Sequence, residues 1–234
     1  MATLYLIPTP LVDEGPATWL NTADVELLNT LTEFIVEDER TARRFLRKAG
    51  YTRNFDTEVK LYNIGKESKP EHYKGYLTKV RNGSNVGLMS EAGCPGVADP
   101  GAEVIAHAHS FGITVKPMVG PSSLLMALMA SGLNGQSFTF HGYMPIEKVN
   151  RAGKLKAIEK LSVQHKQTQL FIETPFRNNQ MLETIIDCCS AKTRLCIASN
   201  IMEETEFIQT KTVADWAKNK PDIHKKPTVF LLLG

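Results

Sequence analysis

The sequence lacks the short motifs that identify several common enzyme classes. No Walker A sequence is present, and no Gly-x-Gly-x-x-Gly follows the first predicted strand, which disfavours nucleoside triphosphate and dinucleotide binding. No Gly-x-Ser-x-Gly elbow occurs, which disfavours a hydrolase. The four cysteines contain no Cys-x-x-Cys pair, so we predict no metal site and no redox motif.

Long apolar runs and an excess of one charge are missing as well. The 234 residues include 27 Lys and Arg against 25 Asp and Glu, and a net charge of +2 is too small to indicate a nucleic-acid partner by itself. No apolar stretch is long enough to cross a bilayer, and no signal peptide is recognised before the first predicted strand. We therefore expect a cytoplasmic protein whose thiols stay reduced.

Strand and helix patterns alternate in the first half of the chain and become richer in strands in the second. We predict strands at residues 3–8, 33–36, 60–64, 85–90 and 113–118, and helices at 23–31, 39–49, 70–80 and 101–111. For the second half we predict strands at 138–143, 168–173, 194–199, 206–209 and 228–233, with helices at 122–131, 151–163 and 175–189 and near Trp216. The pattern predicts two α/β domains, 1–118 with a mostly parallel sheet and 119–234 with a mixed sheet.

Residues 90–101 follow a buried strand, and open α/β sheets bind ligands beyond the carboxyl ends of their strands. Gly93 and Gly96 would let a ligand approach the backbone closely. Glu91 and Asp99 add negative charge, which suits a cationic or hydroxyl-bearing ligand. The alternative is a structural turn before a well-capped helix, with Asp99 as its N-cap and Pro100 as its first residue.

Six blocks of the chain, taken together and in order, resemble the tetrapyrrole methylases, the class III S-adenosylmethionine-dependent methyltransferases. The blocks are residues 4–10, 89–101, 119–123, 130–133, 140–145 and 173–177. The subfamily they resemble most methylates a ribose 2′-hydroxyl of small-subunit ribosomal RNA. The resemblance implies a cofactor, S-adenosylmethionine, in a cleft between two domains, a homodimer, and ribosomal RNA as substrate.

The same resemblance implies which residues bind the cofactor. Those expected to line it are Pro8, Glu91, Ala92, Gly93, Pro95 and Val97, with Ser122 and Ser123 facing it across the domain junction and Phe171 and Ile172 packing on its adenosine. For Phe171 and Ile172, ordinary strand core is an equally good interpretation.

An acidic-x-Arg block of the family matches residues 38–40. The match implies that Asp38 orients the methyl acceptor and that Arg40 holds phosphate or the acidic pair. A sugar hydroxyl is a poor nucleophile, so a nearby charge would help the transfer. The alternative for Asp38 is a helix N-cap on a solvated helix start.

Four arginines have the spacing i, i+3, i+4 and i+7 of one helical face: Arg40, Arg43, Arg44 and Arg47. Arginine binds phosphates bidentately, so this face is a candidate for RNA binding, although a charged stretch is also typical of a solvated surface. Two other functions stay open. One is methylation of a tetrapyrrole or another small acceptor, and the other is cofactor binding without catalysis.

Overall fold

The structure, a computed structural model, describes residues 2–12, 17–64 and 70–234, with only the backbone of Pro70. The chain divides into two units, Met1–Ser122 and Ser123–Gly234. None of the helices in the described ranges is both long enough and apolar enough to cross a membrane.

The first unit is built on a five-stranded sheet in which every strand pairing is parallel. Its strands are β1 (Thr3–Ile7), β2 (Glu33–Val36), β3 (Lys60–Asn63), β4 (Val86–Met89) and β5 (Thr114–Pro117). Its helices are α1 (Thr22–Thr30), α2 (Glu39–Lys48), α3 (Pro70–Tyr76), α4 (Thr78–Arg81) and α5 (Gly101–Ser110). The strand order is β3-β2-β4-β1-β5, which confirms the predicted parallel α/β layer.

The central strands of this sheet are short apolar runs because helices cover both of their faces. All four residues of β2 and all four of β4 are buried, as is typical of parallel strands. Gly87 in β4 leaves room for its neighbours: a Cβ there would come within 2.6 Å of both Ile7 Cδ1 and Phe34 Cδ1. The sheet therefore places β4 tightly between β1 and β2.

Two predictions for the first unit are wrong in detail. The expected single helix over 70–80 is two helices, because Leu77 takes φ −86° and ψ 0° between α3 and α4. Helix α5 begins at Gly101 with Pro100, not Asp99, at the cap position, and Pro100 has no side-chain hydrogen bond to offer. Asp99 nevertheless accepts the Gly101 N–H through Oδ1 at 3.3 Å.

The second unit contains a mixed sheet, as predicted, in the order β6-β7-β10-β8-β9. Its strands are β6 (Phe138–Tyr143), β7 (Thr168–Ile172), β8 (Arg194–Ser199), β9 (Phe207–Thr212) and β10 (Thr228–Leu233). Its helices are α6 (Ser123–Ser131), α7 (Lys148–His165), α8 (Asn178–Cys188) and α9 (Val213–Lys218). Only β6 and β7 pair in parallel, and the remaining pairs are antiparallel.

Strand β10 lies at the centre of this sheet and all six of its residues are buried. Its Phe230 stacks on Phe171 with ring centroids 5.5 Å apart, inside a core completed by side chains of α7 and α8. The predicted helix 175–189 starts instead as a 3-10 turn over Pro175–Arg177 and becomes α-helical at Asn178. Helix α7 is longer than predicted, because it already begins at Lys148.

Candidate functional site

The candidate site lies at the carboxyl edge of the parallel sheet, where three neighbouring strands end. Pro8 and Thr9 follow β1, Glu37 follows β2, and Ser90 follows β4. Because β2, β4 and β1 are adjacent and parallel, these residues meet at one edge. The loop from Ser90 to Pro100 crosses this edge before α5 begins.

Backbone hydrogen bonds attach this loop to the end of β1. The Thr9 N–H donates to the Gly93 carbonyl at 2.9 Å, and the Gly93 N–H donates back to the Thr9 carbonyl at 3.1 Å. The buried Ser90 hydroxyl donates to the same Gly93 carbonyl at 2.9 Å. The pairing fixes the first turn of the loop beside Pro8, so that both segments form one surface.

Three glycines of the site are in positions that a side chain would disturb. Gly93 and Gly96 both have φ +79°, in the left-handed region, and a Cβ on Gly96 would come within 2.8 Å of Ile105 Cδ1. Gly120 lies so close to Pro8 that its Cβ would be 2.2 Å from Pro8 Cβ. The loop therefore presents backbone without side chains at Gly93 and Gly96, and Gly120 packs tightly against Pro8.

Three carboxyl groups lie close together at this edge, because Glu37 follows β2 while Glu91 and Asp99 belong to the loop. Glu37 accepts the Glu91 N–H through Oε2 at 3.1 Å, and its negative charge acts on the nearby carboxyl group of Asp99. Burial, and then the negative charge of Glu37, raise the pKa of Asp99 to about 7, with a further contribution from Glu91. Within the described ranges no group of three or more acidic, His or Cys side chains is arranged to hold a metal ion.

Sequence reasoning did not single out Glu37, which is the residue that links β2 to the loop. The available signal for Glu37 was its position directly after β2, a strand with four buried residues. Strand β2 pairs with β4, which leads into the loop, so the residue after β2 lies beside the loop. The acidic-x-Arg block drew the prediction to Asp38 instead. The contact between Glu37 and Glu91 spans 54 positions of the chain, so local sequence patterns could not reveal it.

Asp38 is the N-cap of α2, as the structural interpretation predicted. Its Oδ1 accepts the Thr41 N–H at 2.8 Å, and that backbone hydrogen bond lowers the pKa of its carboxyl below the ordinary value. The side chain is exposed, as is Arg40 two residues later. An ionised carboxylate with a lowered pKa is a poor proton acceptor but can orient a ligand by charge and hydrogen bonding.

The four arginines of α2 do not share one environment. Arg43 pairs with Asp56 at 3.1 Å, and Arg47 lies over the Phe55 ring at 4.4 Å, so the segment 51–56 contacts this side of the helix. Arg40 is exposed. Arg44 lines a small cavity of about 30 Å³ together with Thr9, Thr41, Lys48 and Glu91. The Arg44 side of the helix therefore faces the loop and the end of β1.

The remaining predicted cofactor residues lie in several environments. In the first unit, Pro8, Gly93 and Pro95 are buried, Glu91 and Ala92 are exposed, Val97 is half-exposed and Ser122 is partly buried. Ser123, Phe171 and Ile172 belong to the second unit. Phe171 has no exposed surface and packs as strand core, which was the alternative interpretation, while Ile172 is partly buried.

Comparison with solved structures identifies the fold. The methyltransferase CobJ superposes with a TM-score of 0.64 at 15% identity, covering 100% of this chain and 93% of that one. The uroporphyrin III C-methyltransferase of Thermus thermophilus superposes with a TM-score of 0.59 at 18% identity, over 99% and 97% of the two chains. The architecture is thus that of the two-domain tetrapyrrole methylases.

Sequence comparison defines the relationship further, although no protein-family model matches the chain. The ribosomal RNA small subunit methyltransferase I of Mesorhizobium japonicum is 31% identical over 215 residues, which cover 90% of this chain and 67% of the relative. The protein of the same name from Vibrio cholerae is 27% identical over 99% of this chain and 77% of its own. The chain therefore belongs to the ribosomal RNA small subunit methyltransferase I family, and it is a methyltransferase.

Proposed function

We propose that this methyltransferase transfers a methyl group from S-adenosylmethionine to a ribose 2′-hydroxyl of small-subunit ribosomal RNA. The relationship to ribosomal RNA small subunit methyltransferase I over 99% of the chain is the observation that carries the proposal. The sequence blocks at the glycine-lined loop and at the start of α2 support it. Both belong to the carboxyl edge of the parallel sheet.

The residues at the loop fit a sulfonium nucleoside. Glu37 and Glu91 supply negative charge for a cationic ligand, and the backbone without side chains at Gly93 and Gly96 permits close approach. The cofactor, when bound, supplies an activated methyl group on a positively charged sulfur. The chain's own part is to bind and orient the cofactor, and in the first unit the residues proposed for this role are Pro8, Glu91, Ala92, Gly93, Pro95, Val97 and Ser122.

Acceptor binding is assigned to the start of α2. Asp38 would orient the ribose hydroxyl with the carboxylate oxygen that does not cap the helix, and Arg40 would hold an adjacent phosphate. Arg44 extends this surface along the helix. Arg43 and Arg47 add positive potential to this surface without breaking the Arg43–Asp56 ion pair or the cation–π contact of Arg47 with Phe55. Alignment of acceptor and methyl group can lower the barrier by roughly 7–11 kcal/mol.

We further propose that the protein is a cytoplasmic homodimer. Helix α6 supports a dimer, because Leu125 and Met129, at i and i+4, are 52% and 83% exposed. Exposed apolar side chains that share a helical face are typical of an interface between subunits.

The test is methylation of small ribosomal subunits that lack the modification, with labelled S-adenosylmethionine. We expect label in the small-subunit RNA, at a single nucleotide whose phosphodiester bond becomes resistant to alkali. A reference enzyme of the family that labels the same particles, while this chain labels nothing, would refute the substrate. Labelling of a tetrapyrrole or another small metabolite would favour the small-acceptor alternative. Cofactor binding without turnover on any extract would favour a non-catalytic homologue.

A further inference from the structure

Phe176 is an exposed aromatic side chain in the block 173–177, a block that has no role so far in cofactor or acceptor binding. It lies in the 3-10 turn Pro175–Arg177 that precedes α8, and 65% of it is exposed. The His224 ring meets it at an angle of 73° with the centroids 6.1 Å apart, and the Lys225 Nζ lies 6.0 Å from its centroid. Neither neighbour lies flat on the ring, so the aromatic surface stays accessible to a ligand.

The two segments that carry these side chains are joined by hydrogen bonds within the second unit. The Lys225 N–H donates to the Pro175 carbonyl at 3.0 Å. Asn178, which has no exposed surface, donates through Nδ2 to the Lys226 carbonyl at 2.6 Å. The backbone around Phe176 is therefore held in place before any ligand arrives, and a side chain on a fixed backbone loses less conformational freedom on binding.

The charge beside the ring is positive and comes from Lys225. This lysine is exposed and forms no ion pair with any described residue. The nearby acid, Asp222, accepts the His224 N–H through Oδ1 at 3.1 Å. Lys225 also has φ +61°, in the left-handed region that is costly for a lysine. Strained backbone of this kind is concentrated at functional sites, including those that hold ligands.

An exposed aromatic ring beside an ammonium group suits single-stranded nucleic acid. Unpaired bases stack on aromatic side chains, while cationic side chains meet the phosphates between them. We propose that Phe176 stacks on an unpaired base of the RNA substrate and that Lys225 binds a neighbouring phosphate. The proposal rests on the proposed function, because it concerns the same RNA.

Charge favours RNA over a second copy of this chain as the occupant of this surface. A subunit interface that covered Phe176 would also bury the Lys225 ammonium group, which is costly unless the partner brings an acid. A nucleotide offers a base to the ring and a phosphate to the ammonium group. RNA therefore satisfies both side chains at once.

The experiment compares two short fluorescein-labelled RNA oligomers of equal length in anisotropy titrations with the full chain. One is oligouridine, and the other has abasic sites throughout, so that it keeps the phosphates and lacks the bases. We expect the wild type to bind oligouridine roughly 5- to 150-fold more tightly, the factor that one stacked base contributes. Phe176→Ala should lose this factor for oligouridine and bind the abasic oligomer as the wild type does.

Two further substitutions of Phe176 distinguish stacking from apolar contact. Phe176→Leu should lose nearly as much affinity for oligouridine as Phe176→Ala, because leucine is apolar but has no aromatic face. Phe176→Trp should bind at least as tightly as the wild type, and the fluorescence of the added indole should be quenched by the stacked base. The wild type gives the fluorescence background of Trp19 and Trp216. Phe138→Leu is the matched control, since Phe138 is 43% exposed at the start of β6 and no cation of a described residue lies over its ring.

The role of Lys225 is tested by salt dependence. Lys225→Gln should weaken binding of both oligomers and lower the slope of log affinity against log salt by about 0.7, the value for one phosphate of a single strand. Lys166→Gln is the matched control. Lys166 is also exposed and also has a positive φ, of +51°, but it lies at the end of α7. Equal effects of the two substitutions on the slope would overturn the phosphate contact.

Methylation of small ribosomal subunits connects the contact to the substrate. Phe176→Ala should raise the KM for the subunits at least about fivefold and leave kcat near that of the wild type, because the stacked base contributes to binding. Subunits that are labelled with an unchanged KM would overturn the stacking role and leave the proposed function in place. A wild type that labels no ribosomal RNA, although its affinity for oligouridine depends on Phe176, would refute the proposed function and leave the stacking contact.

Three other results would overturn the proposal. The first is a wild type that binds neither oligomer or binds both equally. The second is Phe176→Leu with the affinity of the wild type for oligouridine. The third is a lower mass of Phe176→Ala than of the wild type in light scattering, because the ring would then belong to an interface between subunits.

Discussion

Asp38 has a structural role as the cap of α2, and we propose a role in acceptor binding for the same side chain. One of its oxygens caps α2, and the side chain is exposed, so that an acceptor hydroxyl could reach it. The two roles depend on different properties, since a cap needs a hydrogen-bond acceptor while orientation of an acceptor also uses negative charge.

Substitution of Asp38 can therefore separate these roles. Asp38→Asn keeps the cap, so its melting temperature should stay near that of the wild type. Methyl transfer should fall at least about tenfold, because that is the loss expected when a charge-assisted contact worth about 1.4 kcal/mol or more is removed. Asp38→Ala should lose about 1 kcal/mol of stability in addition. Full activity of Asp38→Asn in a methylation assay would leave Asp38 with the capping role alone.

The loop glycines give a second prediction at this scale. Gly96→Ala should destabilise the protein by about 1–2 kcal/mol, because alanine at φ +79° is strained and its Cβ would crowd Ile105. It should also weaken cofactor binding. Gly153→Ala is the control: Gly153 lies inside α7 with nothing within 4 Å of the added Cβ, so it should gain about 0.5–1 kcal/mol. Equal stability of the two variants in thermal unfolding would contradict this assignment.

At the scale of elements, α2 presents two kinds of basic side chain. Arg43 and Arg47 contact Asp56 and Phe55, whereas Arg44 faces the loop and the end of β1. Because Arg44 lies beside the loop that is proposed to bind the cofactor, a phosphate of the acceptor would come closer to Arg44 than to Arg43.

We therefore expect Arg44→Glu to weaken binding of small-subunit RNA more than Arg43→Glu does. Loss of one phosphate contact should lower the slope of log affinity against log salt by about 1. Arg81→Glu reverses a charge on α4 and serves as the control, with unchanged salt dependence expected. Equal effects of the substitutions at 44 and 81 on titrations at several salt concentrations would rule out a specific role for this face.

The strands and helices also show which parts of the fold can be predicted from sequence patterns. Strands such as β2 and β10 were predicted with their observed bounds, because buried strands are mostly apolar runs that polar residues end. The parallel and mixed sheets follow from the order of strands and helices. The cap at Pro100, the break at Leu77 and the role of Glu37 were missed, because they depend on backbone geometry and on contacts between distant segments.

At the scale of the whole molecule, the exposed apolar face of α6 leads to a prediction about the proposed homodimer. Met129→Asp should convert the proposed dimer into monomers, because a carboxylate would replace apolar contact at the interface. Light scattering coupled to size-exclusion chromatography measures this directly. Val149→Asp is the control, since Val149 is 84% exposed but lies on α7. A wild-type chain that is already monomeric would contradict the dimer, and dissociation by both variants would contradict the choice of α6.

The separation of the two sheets has a consequence for biosynthesis. Among the described residues, each sheet draws all its strands from one continuous stretch, and no strand pairing joins the two stretches. The first sheet can therefore complete its hydrogen bonds while the ribosome is still translating the second half, which at 5–20 residues per second takes on the order of 10 s. The nascent amino-terminal half thus has time to fold before the rest of the chain emerges.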